Sequence, residues 1–177
     1  VNSLYSEIAE SRHKEIFIEQ TPWYGQRIDI LNELFPDAKY IHMVRDGRDV
    51  AISFVRTPWW DRDIGKNLER WHAEVNEIIE SSSQILSPNQ MLQVRYEDFV
   101  EQPEKGLRRI CDFMGIGFES AMLDSATFID YSLYSAFNEK KISSLTLNEW
   151  SKNKDGPTFK GSRYAWKDRP DFAFARM

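Results

Sequence analysis

An arginine and a hydroxyl eight positions apart, Arg45 and Ser53, are the residues of this chain best placed to do chemistry. They lie in the run Lys39 to Ser53, KYIHMVRDGRDVAIS, which reads as a strand, a charged turn and a helix start. The chemistry such a run suits is anion binding. An arginine offers a bidentate, charge-assisted pair. The first turn of a helix carries N–H groups and a dipole that favour a phosphate. Ser53 adds a hydroxyl about two turns into that helix. The carboxyl end of a strand in a parallel sheet is also where ligands sit. The same residues allow a plainer reading, with Arg45 and Arg48 in a salt-bridge cluster with Asp46 and Asp49, and Ser53 a solvated helix residue.

The elements that must position these groups follow from the apolar pattern. Residues 3–12 read as helical, and Lys14 to Ile18 (KEIFI) as a short strand. From Gln26 to Phe35, Ile28, Leu31, Leu34 and Phe35 share one face of a 3.6-residue period. Pro36 and Asp37 end that helix. Lys39 to Val44 is nearly all apolar, as in a strand buried on both faces, so residues 14–44 read as a strand–helix–strand unit. A helix from Asp46 to Val55, a loop from Arg56 to Gly65 and a helix from Leu68 to Ser81 come next. Ser81 to Asn89 is a polar connector and Met91 to Tyr96 a further strand. The following helix carries Leu107, Ile110, Cys111 and Met114, and Gly115 closes it. A short helix is expected near 119–125, and the pattern weakens beyond it. Strands alternating with helices mean an α/β fold.

Composition narrows the classes. A length of 177 residues favours one domain over 1–177. A net charge of -5 argues against a general nucleic-acid or membrane-surface binder, so any phosphate site must be a local basic pocket. The single cysteine, Cys111, excludes an internal disulfide and fits core packing. No apolar stretch is long enough to span a bilayer, and no signal peptide is recognisable. His13, His42 and His72 lack the spacing of zinc ligands, so no metal is expected. His42 reads as a satisfied core histidine. Trp59, Trp60 and Trp71 suit either loop packing or the wall of an acceptor pocket. Ser81, Ser82 and Ser83 read as a solvated loop. The chain starts at Val1 within a helical pattern, so the distal portion of a longer protein is expected.

Two segments together carry a family resemblance. Phe35 to Phe54 (FPDAKYIHMVRDGRDVAISF) resembles the 3'-phosphate-binding motif of sulfotransferases that use 3'-phosphoadenosine 5'-phosphosulfate (PAPS). Arg45 and Ser53 fall on that motif's phosphate-holding positions. Val94 to Pro103 (VRYEDFVEQP) is similar to a second segment, whose tyrosine contacts the adenine; this points to Tyr96, with Glu97 and Asp98 as helix-start acids. Lys160 to Lys167 (KGSRYAWK) is similar to the late loop R-K-G-x-x-G-x-W-K that closes over the 3'-phosphate. Lys160, Gly161, Trp166 and Lys167 match it, while Phe159 and Tyr164 replace its first arginine and second glycine. Ser135 and Phe137 resemble a Ser-Phe pair that the family places beside the adenine.

The resemblance implies a three-layer, P-loop-kinase-like architecture and sulfuryl transfer from PAPS to an acceptor hydroxyl or amine, leaving 3'-phosphoadenosine 5'-phosphate (PAP), without a metal. The acceptor would be a small molecule or glycan. Two departures bear on activity. No glycine-rich G-x-x-x-x-G-K-[ST] loop for the 5'-phosphosulfate occurs, and it is expected to precede residue 1. In Ile18 to Tyr24 (IEQTPWY), Gln20 stands where the family writes a lysine beside the transferred group, and Pro22 where some members carry a catalytic histidine. Gln20 donates hydrogen bonds but lacks the full charge, and no base can be named. A nucleotide-binding module without turnover and a nucleoside-phosphate kinase are the alternatives. A missing first unit would also leave an apolar sheet edge exposed, with dimerisation as the expected result.

Overall fold

The structure is a computed structural model that describes residues 2–55, 57 and 59–123. The chain forms two compact units, residues 1–94 and 95–177. Among the described residues, no helix is long and apolar enough to cross a membrane.

The first unit opens with helix α1 (Asn2–Ser11). Residues 14–18 then run without strand structure, with their side chains exposed, so the expected strand there does not form. A strand requires a neighbour to satisfy its backbone ladder, and among the described residues the sheet has two strands only. Pro22, pre-set for a helical first turn, starts a 3-10 helix over Pro22–Arg27. This leads into α2 (Ile28–Leu34), which buries Ile28. The helical stretch therefore starts earlier than the apolar period alone suggests.

The sheet pairs β1 (Tyr40–Val44) with β2 (Met91–Arg95). The Tyr40 backbone N–H donates to the Gln90 carbonyl at 2.7 Å, so the two strand starts lie side by side and the strands are parallel. The Gln90 side chain reinforces this register. Its amide donates to the Pro36 carbonyl at 2.7 Å and to Asn32 Oδ1 at 3.1 Å. Its Oε1 accepts the Ser87 N–H at 2.9 Å. The turn before one strand is thus tied to the turn before the other. Burial alternates along β1, and Ile41 and Met43 are 40% and 44% exposed. The expectation of a strand buried on both faces is therefore corrected: one face of β1 is left open.

Between the strands lie α3 (Gly47–Val55) and α4 (Ile64–Ile85), flanking the sheet. Ala51 and Ile52 of α3 are buried. The long helix exceeds the expected 68–81 at both ends. At its start, Asp63 Oδ1 accepts the Lys66 N–H at 3.0 Å, a side-chain N-cap within the expected loop. At its end, Ser82 and Ser83 donate back to the carbonyls of Ile79 and Glu80. These bonds satisfy the hydroxyls inside the helix, and Ser82 is buried rather than in a solvated loop.

In the second unit, α5 (Tyr96–Glu101) and α6 (Pro103–Met114) pack on each other. A Cβ on Gly106 would lie 3.2 Å from Phe99 Cε2, so the glycine permits the close approach of α6 to Phe99. Val100 and Cys111 are buried there, as expected for Cys111, and Gly115 ends α6 at φ 76°. A 3-10 turn follows over Ser120–Leu123.

The tightest junction is between α3 and α4. A Cβ on Gly47 would fall 2.6 Å from Cδ2 and Cζ3 of the Trp71 indole and closer still to its Cε3. The Gly47→Ala exchange is expected to destabilise the fold by about 1–3 kcal/mol, the usual cost of overpacking. Urea unfolding of the variant beside the parent checks this; an unchanged midpoint would mean that the junction relaxes freely.

Candidate functional site

The run after β1 folds as the local chemistry dictates. Asp46 precedes α3, and its Oδ1 accepts the Arg48 backbone N–H at 3.0 Å, which is N-cap geometry. The Arg48 side chain turns back on the same carboxylate, with Nε donating to Oδ1 at 2.9 Å and Nη2 to Oδ2 at 2.6 Å. These bonds hold the Arg48 guanidinium even further above its ordinary range. The N–H of Arg48 is thus taken by the chain's own carboxylate, contrary to the expectation of first-turn donors awaiting a phosphate.

Arg45, immediately after β1, pairs with a different acid. Its Nη2 lies 3.9 Å from Asp49 Oδ2, an ion pair longer than a hydrogen bond. The Asp49 side chain is fully buried, whereas that of Arg45 keeps 23% of its surface exposed. The salt-bridge cluster weighed from the sequence is therefore present, as two separate pairs of unlike character. One is tight and closes a helix cap. The other joins a buried acid to an arginine that reaches the surface.

Ser53 lies on α3, half-buried and one turn beyond Asp49. Gln20 is exposed, in the irregular segment before the 3-10 helix, beside Thr21, whose Oγ1 donates to Glu19 Oε1 at 2.6 Å. Tyr96, half-buried, opens α5 in the second unit. Glu97 and Asp98 stand in that helix's first turn, as expected of helix-start acids. Glu97 is buried and paired with Arg95 at 3.2 Å. Lys160 and Gly161, with Ser135, Phe137, Trp166 and Lys167, lie outside the described residues. An open groove of about 740 Å³ in the second unit, lined by Lys105, Arg108 and Arg109 among others, takes in Gln102 and Pro103 at the end of the Val94–Pro103 segment but none of the candidate site residues. No group of His, Cys, Asp or Glu suited to a metal ion occurs among the described residues.

Two further features escaped the sequence reading. One is an aromatic stack beside α3. Trp60 lies parallel to Phe54 at 4.3 Å, and the Arg70 guanidinium covers Trp60 at 4.1 Å. Asn67, wholly buried, donates to the Asp61 carbonyl at 2.7 Å and holds the intervening loop. Trp60 and Trp71 therefore pack, whereas Trp59 is 70% exposed. Arg70 also pairs with Glu74 one turn on, at 2.7 Å. The other feature is the polar side of β1. The Tyr40 hydroxyl and His42 Nδ1 are buried without a hydrogen-bond partner among the described residues. His42 is thus not the satisfied core histidine expected. Burial alone pushes the Tyr40 pKa up and that of His42 down.

Comparison with known proteins adds an independent line. Residues 1–120 match the model of the sulfotransferase family. Protein-tyrosine sulfotransferase A of Caenorhabditis elegans is 33% identical over 98 residues, covering 52% of this chain and 26% of that protein. The omega-hydroxy-beta-dihydromenaquinone-9 sulfotransferase of Mycobacterium bovis is 27% identical over 118 residues, covering 60% and 30%. The chain thus spans under a third of these curated relatives. Among solved structures, the sulfotransferase domain of the Synechococcus PCC 7002 olefin synthase superposes with a TM-score of 0.60 at 33% identity, covering 68% of this chain and 44% of that one. The sulfotransferase domain of the curacin biosynthetic pathway gives 0.57 at 29% identity, covering 67% and 45%. The expected architecture, a parallel sheet flanked by helices on the P-loop-kinase-like plan, is the one these domains share.

The depressed His42 pKa predicts a pH dependence. Below its ordinary value of 6.5, the unfolded chain takes up a proton that the folded chain resists. The contribution of His42 to stability is therefore present above pH 6.5 and is lost as the pH falls toward its folded pKa. Denaturant midpoints between pH 7.5 and 5 should fall more steeply for the parent than for His42→Gln. Identical slopes would show that the ring does not titrate differently on folding.

Proposed function

The chain belongs to the sulfotransferase family, and we propose that it supplies the part of a PAPS-dependent enzyme that holds the donor's 3'-phosphate. The observation that carries this reading is Arg45, a partly buried guanidinium that keeps 23% of its side-chain surface exposed at the carboxyl end of a parallel strand, on a backbone held by the helix cap beside it. The donor set suits a phosphate: a planar cation that can engage two oxygens, and a hydroxyl, Ser53, further along the same helix. Tyr96 would face the adenine. Lys160 and Gly161 would belong to the loop over the 3'-phosphate. These three assignments rest on the match to the family's motifs.

In this reading the bound phosphosulfate supplies the sulfuryl group, and the residues of this chain bind and orient it. In-line transfer depends on positioning and on stabilising charge, more than on a covalent step through the protein. Gln20 would present its side-chain amide near the transferred group, offering a hydrogen bond without a formal charge. The acceptor would be a hydroxyl-bearing molecule, as the names of the tyrosine and dihydromenaquinone enzymes suggest. Gln20 also favours a second reading, a nucleotide-binding module without turnover, because a neutral amide stabilises developing negative charge less than an ammonium does.

Calorimetry with PAP on the complete protein containing this chain tests the binding role. Arg45→Ala is expected to weaken PAP binding by about 2–4 kcal/mol, the cost of removing one partner of a charge-assisted contact. Binding of adenosine 5'-monophosphate should stay unchanged. An unaltered PAP dissociation constant would sink the assignment. Radiolabelled PAPS with a phenolic acceptor separates the two readings: sulfated product supports the enzyme, and PAP binding without product supports the module.

A further inference from the structure

We propose that Asp49 is a positioning residue, whose buried carboxylate holds the Arg45 guanidinium at the carboxyl end of β1 and so sets the preference for a 3'-phosphorylated nucleotide. The proposal rests on the reading of Arg45 as the 3'-phosphate ligand and extends it to a residue to which that reading gives no part. Among the described residues of the first unit, Asp49 is the one buried acid or base, and its side chain has no exposed surface. A carboxylate taken out of water is retained only where something compensates its charge. Two of the groups around it contribute to this. One is the amino-terminal turn of α3, where Asp49 is the acidic residue and the helix dipole is favourable. The other is Arg45, 3.9 Å away.

The second arginine of the run is held elsewhere. Arg48 closes on Asp46 through two short side-chain bonds. The pairing is nested, Asp46 with Arg48 inside Asp49 with Arg45, and the Asp49 charge also acts on Arg48. The anchor is fixed, because Gly47 in the same turn lies against the Trp71 ring. An arginine side chain loses considerable rotamer freedom when it is held for a ligand. A buried, immobile anion at one side of the guanidinium removes part of that freedom before the ligand arrives, which is pre-organisation. At 3.9 Å the attraction orients the guanidinium without a direct hydrogen bond.

The test uses the complete protein containing this chain, with PAP and adenosine 5'-monophosphate as probes in calorimetry. Asp49→Asn keeps the shape of the side chain and removes the charge. It should raise the PAP dissociation constant about tenfold, in line with the entropy of one released side chain, and leave the monophosphate unchanged. In an Arg45→Ala background the same exchange should have no further effect on PAP. Equal losses for both nucleotides, an unchanged or tighter PAP affinity, or a full additional loss in that background would overturn the proposal, leaving Asp49 a purely structural acid. If Arg45→Ala itself spares PAP selectivity, the underlying reading fails and the proposal with it. If Asp49→Asn does not fold, Asp49→Glu retains the charge but displaces it by one methylene. It should also reduce PAP selectivity, and unchanged selectivity would overturn the proposal.

Discussion

The contact between Gly47 and Trp71 is the constraint on which the rest of the first unit's polar chemistry depends. The indole occupies the space that any side chain at position 47 would fill. That closeness brings α4 onto the first turn of α3, where Gly47 and Asp49 are both buried. A glycine in a helix ordinarily weakens it through backbone entropy. Here the loss is set against the packing of a half-buried tryptophan on the turn that follows β1. A looser junction would leave the strand end and its arginine on a mobile support.

From that support the charges sort themselves. Asp46 lies at the helix boundary, can reach its own backbone, and recruits Arg48. Asp49 lies one turn further in, is sealed from water, and takes Arg45 as its partner. Two pairs with identical residue types thus differ in burial and distance. The tight pair stabilises a cap and is saturated by short bonds. The long pair leaves an arginine that still meets solvent at the place where parallel sheets receive their ligands.

Other details of the first unit serve the same end. Gln90 joins the two strand starts through one side chain, which fixes the register of β1 and with it the height at which Arg45 emerges. Asn67 ties the loop after α3 to α4, and the Phe54–Trp60–Arg70 stack fills the space beside it. The chain belongs to the sulfotransferase family, and these contacts fix the geometry of the segment between its two strands.

Much of this was legible along the chain. The apolar run before Arg45, the glycine and two acids after it, the helical periods of α2, α4 and α6, and the Gly115 stop are local signals with local causes. Elsewhere local chemistry misleads. Serines 82 and 83 look like a loop until their hydroxyls bond back within α4. Lys14 to Ile18 has the composition of a strand but lacks the neighbour that would make it one. The alternation of burial along β1 cannot be read from a run that is nearly all apolar. The sequence by itself determined the succession of β1, α3, α4, β2 and α6 and the family motifs, because these depend on spacing along one chain. Only the tertiary structure decided which arginine serves which acid, which carboxylate is cut off from water and why position 47 must be glycine. Those outcomes depend on distances between α3 and α4, and on water excluded by side chains that are far apart in sequence.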